Sequence, residues 1–299
     1  MENSKAIVTL VIGKRYLNRW KRLCEYNWQQ YAEKHGYDLI VLDNPLDTSE
    51  RAQKRSPAWQ KCLILSQEFS QQYERVVWID SDILINSSVA PCIVENVPIE
   101  KVGATDEWSS PTPQLYAQTL ERKYEYFKYA GLDIIHDNPA KTFYSNYGLP
   151  PKFDRTVQTG VMVLSPRHHC QILEKVYFEY EDKGKSQWNY EMRPLSWELL
   201  EADLVHWIDH RFNLIWMDYL CLHYPFALKK ARSPFIKKME RKIHNLSLSL
   251  DLAIPPRPSL RKICANAAFI NSFFLHFAGC GSDMPLVDIK CNSWRNLLP

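Results

Sequence analysis

The chain has 299 residues, 45% of them hydrophobic and 24% charged, and its formal net charge is +3. A chain of this length can bury a large core, and these proportions exclude an intrinsically disordered protein. The small net charge gives no reason to expect a nucleic-acid partner, because such binding needs a basic face with many phosphate contacts.

Apolar runs and helical patterns alternate along the first part of the chain. A β-branched run ends at Gly13, and aromatic residues at helical spacing follow it as far as Gly36. The pattern predicts strands over 5–12, 37–42 and 75–79, with a helix over 58–73. This alternation is typical of a mainly parallel sheet flanked by helices.

The rest of the chain continues the pattern less regularly. Strands are predicted over 102–105, 157–164 and 271–277, and helices over 168–181 and 195–201. Residues 108–155 are rich in aromatic side chains without a clear period, which indicates an excursion over the sheet. We predict a single domain over 1–299, with a core of about 1–220 and 271–299 and a basic helical excursion over about 221–270.

The N-terminal apolar run and the cysteines indicate the cellular compartment of the protein. Residues 6–12 are too few to span a membrane, and they lack the small-residue cleavage pattern of a signal peptide. The eight cysteines include no Cys-x-x-Cys pair and no zinc-ligand spacing. We therefore expect a cytoplasmic protein with reduced thiols.

Two carboxylates, Asp80 and Asp82, directly follow the strand predicted over 75–79. Oxygen ligands on a rigid strand can hold Mg²⁺ or Mn²⁺, which can bridge two phosphates and neutralise the charge on a departing diphosphate. The alternative is a haloacid dehalogenase-like phosphatase, with the first carboxylate as nucleophile and the second as acid/base. Its motif has Thr or Val two residues after the second Asp, where this chain has Leu84.

Four short segments carry a resemblance to a known family. They are Trp59-Gln60-Lys61, the run from Arg75 to Asp82, the run from Thr159 to Leu164, and His276-Phe277-Ala278-Gly279. In order and spacing the chain resembles the retaining GT-A glycosyltransferases, including glycogenin-like enzymes and the fungal galactosyltransferase and mannosyltransferase families. The resemblance covers most of the chain except roughly 109–155 and 220–270.

The resemblance implies an α/β fold of the GT-A, Rossmann-like type and a metal-dependent hexosyltransferase. The donor would be a nucleotide-diphosphate sugar, in particular a UDP-sugar, and the acceptor a glycan, lipid or protein hydroxyl, with retention at the anomeric carbon. In such families the leaving phosphate itself can act as the base. No separate general base is then required.

The same resemblance implies roles for individual residues. Asp80, Asp82 and His276 would ligate Mn²⁺ or Mg²⁺. Taken alone, His276 is more typical of a histidine at the end of a strand whose ring nitrogens are hydrogen-bonded within the protein. Lys61 would contact the donor phosphate or sugar, and Tyr16 would stack on the base. From the residues alone, Lys61 fits a solvated helix lysine equally well. The alternative for Tyr16 is an aromatic residue that packs at the start of a helix. The donor-binding positions are Thr9, Arg15, Tyr16, Lys61, Ser81, Thr159, Gly160 and Gly279.

Further positions correspond to polar contacts on the donor sugar. Asp106 stands where related enzymes have an acidic contact, and Gln158 precedes the Thr159-Gly160 pair. The family's Asp-Gln pair has no literal copy, and the nearest match is Glu191, with Glu198 as a second candidate. We therefore expect Asp106, Gln158 and Glu191 to orient the sugar.

The chain also departs from the family where a lysine binds the leaving diphosphate. Cys280-Gly281-Ser282-Asp283-Met284 follows Gly279, and no lysine occurs before Lys290. The phosphate charge would then be met by the metal, by Arg15, by Lys61 or by another basic segment. This departure leaves open a catalytically silent nucleotide-sugar binder as a further hypothesis.

A basic segment extends from Lys229 to Lys242 and is followed by leucines at alternate positions. Such a run is most often a solvated helix face. The functional alternative is peripheral contact with anionic lipid at the inner membrane surface, or contact with an acidic glycan acceptor.

Overall fold

The computed structural model describes residues 3–129, 131, 136–137, 139–183, 190–228 and 260–290. Within these residues a six-stranded sheet and a three-stranded sheet are surrounded by helices. The strands are β1 (Lys5–Leu10), β2 (Asp38–Leu42), β3 (Arg75–Ile79), β4 (Ile83–Ile85), β5 (Val102–Asp106), β6 (Val157–Leu164), β7 (Val205–Trp207), β8 (Leu214–Ile215) and β9 (Phe274–His276).

The α-helices are named in chain order. They are α1 (Lys14–Trp20), α2 (Tyr26–His35), α3 (Glu50–Gln53), α4 (Pro113–Tyr129), α5 (Ala140–Ser145), α6 (Pro166–Glu179), α7 (Met192–Glu201), α8 (Trp216–His223) and α9 (Leu260–Asn271). A π-helical turn, Lys21–Glu25, joins α1 to α2. Short 3-10 helices occupy Pro57–Ser66, Glu68–Gln72, His210–Asn213, Pro225–Ala227 and Gly281–Leu286.

The large sheet has the strand order β2-β1-β3-β6-β5-β7. Strand β1 pairs in parallel with β2 and β3, and β5 pairs in parallel with β7. Only β6 runs the other way, because it is antiparallel to both β3 and β5. The predicted α/β class, a mainly parallel sheet flanked by helices, is therefore confirmed.

The central strands are buried along most of their length because both faces of the sheet are covered. On one face Ile7, Val77 and Val163 pack against α2, α8 and α9. On the other face Val8 and Met162 pack against the 3-10 helix Pro57–Ser66 and against α6 and α7. The alternation of the two faces along each strand is the period-2 pattern of a pleated sheet.

The helix predicted over 58–73 is wrong in type, since the segment forms two 3-10 helices, Pro57–Ser66 and Glu68–Gln72. Every side chain from Trp59 to Leu65 is buried, so the segment has no solvent-facing side from which a 3.6-residue period could be read. Tertiary packing on both sides therefore sets the local geometry there.

Residues 108–155 contain more regular structure than the missing period indicates, namely α4 and α5. The deeply buried apolar side chains of α4, Tyr116, Leu120 and Phe127, are too few to produce a strong helical stripe. The strand predicted over 271–277 is present but shorter, over Phe274–His276. That segment forms β9, which pairs with β4 and β8 in the small sheet.

Part of the predicted excursion over 221–270 is described, and it includes α9. Cys264, Ala268 and Phe269 of this helix are buried in the same core as β3 and β4. The stretch from Lys229 to Lys242 lies outside the described residues. Among the described helices, none is both long enough and apolar enough to cross a membrane.

Candidate active site

The two carboxylates of the Asp-x-Asp motif lie on a short turn between β3 and β4. The backbone N–H of Asp80 donates to the carbonyl of Gly160 in β6, at 2.8 Å. The carbonyl of Asp82 accepts from the N–H of Phe277, directly after β9, at 2.9 Å. Because two different strands hold this turn, both carboxylates start from a fixed backbone at the carboxyl end of β3.

His276 completes a three-residue cluster with these carboxylates. Its ring is buried, and Nε2 lies 3.3 Å from Oδ1 of Asp82 and 4.0 Å from Oδ2 of Asp80. One ligand atom from each of the three residues lies within 4.8 Å of the others. Two carboxylates and an imidazole form a mixed oxygen and nitrogen donor set that fits Mn²⁺ or Mg²⁺.

The orientation of the His276 ring is set by an amide behind it. Nδ1 lies 2.8 Å from Oδ1 of Asn213, so an Nδ1–H donor leaves the lone pair of Nε2 on the side of the carboxylates. Burial alone would lower the pKa of His276, but the Asp82 and Asp80 carboxylates outweigh it and raise the pKa. The same two carboxylates make the potential at this position negative, which favours a bound cation.

Lys61 is a buried cation beside this cluster. Its Nζ lies 3.0 Å from Oδ1 of Asp80 and 2.9 Å from Oε1 of Glu191, and it donates to the carbonyl of Thr159 at 3.3 Å. Burial by itself would lower the pKa of Lys61, but the two carboxylates raise it above its usual value. Lys61 is therefore charged and is not a solvated helix lysine.

Asp80 presents its two oxygens to different partners. Oδ1 forms the ion pair with Nζ of Lys61 and also accepts a hydrogen bond from the indole N–H of Trp78, at 2.8 Å. Oδ2 lies on the side of His276. With Oδ1 held by two donors, the carboxylate is oriented with Oδ2 toward the candidate metal position.

The two candidate donor-side carboxylates lie in different environments. Glu191, at the start of α7, is buried against Lys61 and accepts from the hydroxyl of Thr159 at 3.0 Å; burial raises its pKa and Lys61 opposes that rise. Glu198 pairs with Lys175 at 2.8 Å and accepts from the hydroxyl of Tyr180. Of the two, Glu191 is the one that contacts Lys61.

A cavity of about 630 Å³ opens over the carboxylates. Its wall includes Tyr16, which is 61% exposed at the surface, and the 3-10 helix that carries Lys61. A volume of this size is within the range of about 300–1,000 Å³ that holds small ligands. We call this space the donor cavity.

The structure divides the sequence-predicted site residues into three groups. Those that line the donor cavity are Tyr16, Lys61, Asp80, Ser81, Asp82 and Gly279. Those that support these residues from behind are Thr159, Gly160, Glu191 and His276. Those outside the donor cavity are Thr9, which is fully buried in β1, Arg15, which is exposed, and Asp106 and Gln158, which line a different cavity.

Gly160 allows the close packing behind the metal position. A Cβ there would lie 2.5 Å from Cε1 of His276 and 2.9 Å from Oε1 of Gln158. The same Gln158 oxygen accepts from the N–H of Gly160 at 2.6 Å and from the Asn213 amide at 2.9 Å. Gln158 and Asn213 thus hold the backbone and the ring that flank the site.

Arg19 is a cavity residue that the sequence analysis did not single out. It lies in α1, lines the donor cavity, and its guanidinium contacts the carbonyl of Gly281 and the sulfur of Met284, the latter at 3.1 Å. Burial lowers its pKa, and the nearby Asp82 carboxylate opposes that effect. The sequence signal for Arg19 is the cation-rich start of α1 beside Gly13, where the family resemblance indicates Arg15.

Comparison with known proteins gives distant likenesses. No family model matches the sequence, and no curated protein matches it. Solved structures with a similar chain course include a glycosyltransferase involved in glycosylation of the major capsid of PBCV-1, at 18% identity, covering 80% of this chain and 98% of that chain with a TM-score of 0.41.

Two other similar structures are also those of glycosyltransferases. The bifunctional glycosyltransferase WbbM is 12% identical, with 93% of this chain and 46% of that chain covered and a TM-score of 0.47. The galactosyltransferase LgtC, in complex with donor and acceptor sugar analogues, is 13% identical, with 98% and 100% covered and a TM-score of 0.43. At identities and TM-scores this low, these likenesses do not assign a function to this chain.

Proposed function

We propose that this chain is a metal-dependent glycosyltransferase of the GT-A type. It would move a hexosyl unit from a nucleotide-diphosphate sugar, in particular a UDP-sugar, to a hydroxyl of a glycan, lipid or protein, with retention. The observation that carries the proposal is the convergence of Asp80, Asp82 and His276 on one side of the donor cavity, with the charged Lys61 beside them. A metal position with a buried cation beside it suits the charge of a diphosphate.

The residues of this chain would divide the work as follows. Asp80, Asp82 and His276 hold Mn²⁺ or Mg²⁺, which when bound supplies Lewis-acid stabilisation of the leaving diphosphate. Lys61 positions Asp80 and Glu191 through its two ion pairs. The exposed ring of Tyr16 offers a stacking surface for a base at the cavity mouth.

Ser81 and Gly279 also line the cavity, where main-chain groups and a small hydroxyl can approach phosphate or ribose. Thr159, Gly160, Gln158 and Glu191 would shape the sugar end of the site from behind. Thr9, Arg15 and Asp106 stay proposed donor contacts on the family resemblance alone, since none of them lines the donor cavity.

Arg19 would supply the phosphate-binding charge that the segment after Gly279 lacks. Its planar guanidinium has five donors, and its described contacts are one carbonyl and one thioether. It faces the same cavity as Asp82, so its remaining donors can reach a diphosphate there.

Replacing Arg19 with methionine is therefore expected to weaken binding of UDP by about tenfold or more, since a hydrogen bond to a charged group contributes about 1.5–3 kcal/mol. Uridine, which has no phosphate, should bind Arg19→Met as it binds the wild type. Calorimetric titration with both ligands in the presence of Mn²⁺ measures the difference. Arg22→Met, at an exposed position outside the cavity, is the control, and equal UDP affinity in wild type and Arg19→Met would contradict the role.

Thermal unfolding with UDP or GDP, each with and without Mn²⁺, tests the function. A ligand at about 100 times its Kd stabilises the native state by about 2.7 kcal/mol, which raises Tm by about 4 °C for a chain of this size. We expect the rise with UDP to depend on Mn²⁺, and UDP-sugar hydrolysis or transfer to depend on the same metal.

Two other results would indicate a different function, and a third would indicate where the acceptor is bound. Hydrolysis of a phosphate monoester with no response to UDP would indicate the haloacid dehalogenase-like phosphatase. Metal-dependent UDP binding without hydrolysis or transfer for any UDP-sugar would indicate the silent binder. Release of bound protein from anionic vesicles upon charge reversal between Lys229 and Lys242 would support peripheral membrane contact and a glycolipid acceptor.

A further inference from the structure

One face of the helical segment from α1 to α2 follows the turn that carries the candidate metal ligands. The indole N–H of Trp28, in α2, donates to the carbonyl of Ile83 at 3.0 Å. Four residues earlier in the chain, the thiol of Cys24 donates to the carbonyl of Ser81, with the sulfur and the oxygen 3.7 Å apart. A step of four residues back along the helix therefore corresponds to a step of two residues back along the turn, from β4 toward β3.

Trp20 is the next position on this face, and its donor has no acceptor. It lies four residues before Cys24, and its ring meets that of Trp28 edge-on, with centroids 5.4 Å apart. The residue is 2% exposed, and its Nε1 is buried without a hydrogen-bond partner among the described residues. Such a donor is rare in a folded protein, because burying an N–H without an acceptor costs free energy that a hydrogen bond would recover.

The donor cavity is where an acceptor for this N–H can bind. Trp20 lines that cavity together with Ser81 and with the carboxylates of Asp80 and Asp82. Continued by one more step, the progression along the turn leads from Ser81 to the end of the cavity that these two carboxylates occupy. A diphosphate held by a metal ion at the carboxylates would place its oxygens at the same end.

Positive charge on the same wall favours an anionic acceptor. Arg19 directly precedes Trp20, and its guanidinium contacts the carbonyl of Gly281, which also lines the donor cavity. A phosphate oxygen beside Trp20 would therefore lie close to a cation as well as to a neutral donor. An uncharged hydroxyl of the ribose would gain less from this arrangement.

We propose that the indole N–H of Trp20 donates a hydrogen bond to a phosphate oxygen of the nucleotide diphosphate in the donor cavity, an inference that rests on the proposed glycosyltransferase function. An indole nitrogen is a donor only and carries no charge, so it recognises an acceptor oxygen and does not compete for the metal. Trp20 thus positions the diphosphate, while Arg19 and the metal balance its charge.

The test removes the N–H and keeps the ring. In the full chain, benzothienylalanine replaces Trp20, which retains the bicyclic shape and has sulfur where indole has N–H. Trp20→Phe is a second variant without the donor. Calorimetric titration with UDP and with uridine, each in the presence of Mn²⁺, measures the contribution of the N–H to each ligand.

We expect the affinity for UDP to fall about tenfold in both variants, because a hydrogen bond to a charged group is lost, and the affinity for uridine to change by less than about twofold. Trp108→Phe is the matched control. Its Nε1 is likewise buried without a partner among the described residues, but Trp108 is not part of the donor-cavity lining. This variant should bind UDP as the wild type does.

NMR of the indole N–H groups tests the contact in the wild type itself. The resonance of Trp20 is identified as the one missing from the benzothienylalanine protein, and Mg²⁺ replaces Mn²⁺ because Mn²⁺ broadens the signals. UDP should move this resonance downfield, as expected for a new hydrogen bond to a phosphate oxygen, and uridine should leave it in place.

An unchanged UDP affinity in the benzothienylalanine protein, or a Trp20 resonance that UDP does not move, would overturn the inference and leave the proposed function in place. An equal loss of affinity for UDP and uridine would also overturn it, since the N–H would then contact the nucleoside. Absence of metal-dependent UDP binding in the wild type would instead overturn the proposed function.

Discussion

Asp82→Asn is expected to abolish the Mn²⁺-dependent binding of UDP and to lower turnover of a UDP-sugar by at least about 100-fold. Loss of a partner that only orients a metal ligand already costs about 10- to 100-fold in metal affinity or activity, so loss of a ligand itself should cost at least the upper value. Asp82 is the carboxylate nearest to His276, at 3.3 Å, and an amide there provides neither the charge nor the affinity for a divalent cation.

The measurement is Mn²⁺ affinity by calorimetry, together with the Tm response to UDP and the rate of UDP-sugar hydrolysis. Asp43→Asn, an exposed position after β2, is the matched control and should behave as the wild type. An unchanged Mn²⁺ affinity in a folded Asp82→Asn protein would remove the metal site from the proposal, whatever the fold.

Lys61→Met should have the largest effect on stability, lowering the free energy of unfolding by about 3–5 kcal/mol, because removing one partner of a buried ion pair leaves the other charge uncompensated. Lys61 and Glu191 are 3% and 4% exposed at the side chain. Asp80, the other partner, is 27% exposed and can be hydrated. The cost therefore falls mainly on Glu191.

Urea unfolding measures this cost, and a second substitution identifies its origin. Lys61→Met combined with Glu191→Gln should recover most of the lost stability, because the buried uncompensated charge is gone, while UDP-sugar turnover should stay low. Lys54→Met, which breaks the exposed pair with Glu50, should cost less than about 1 kcal/mol. A loss in Lys61→Met no larger than in Lys54→Met would show that the buried network is not important for stability.

Local features made much of the fold predictable. β1, β3 and β6 are buried on both faces, so their β-branched runs stand out in the sequence, and the alternation with helices indicates a mainly parallel sheet. The errors lie where burial is continuous or sparse, as in the 3-10 helix Pro57–Ser66 and in α4. In both cases packing against other elements, and not a period within the segment, decides the local structure.

The candidate site likewise contains residues that a local sequence pattern reveals and residues that only the fold brings together. Asp80 and Asp82 were found because a carboxylate pair directly after an apolar strand is a local signal, and His276 because it begins a recognisable short segment. Arg19 has no such signal, since its contact with Gly281 joins positions 262 residues apart. The sequence placed Glu191 before Glu198 only as the nearer match to the family's pair, whereas in the fold Glu191 is the one that contacts Lys61.

The sequence by itself therefore determined the strand-forming runs, the α/β class and the carboxylates that follow β3, because these depend on neighbours within a few residues. Only the tertiary structure decided that β9 joins the small sheet, that Arg19 enters the donor cavity, and that Asp106 and Gln158 line a different cavity. The physical reason is that strand order and helix packing bring together residues far apart in the chain, and side-chain chemistry alone does not specify which of them meet.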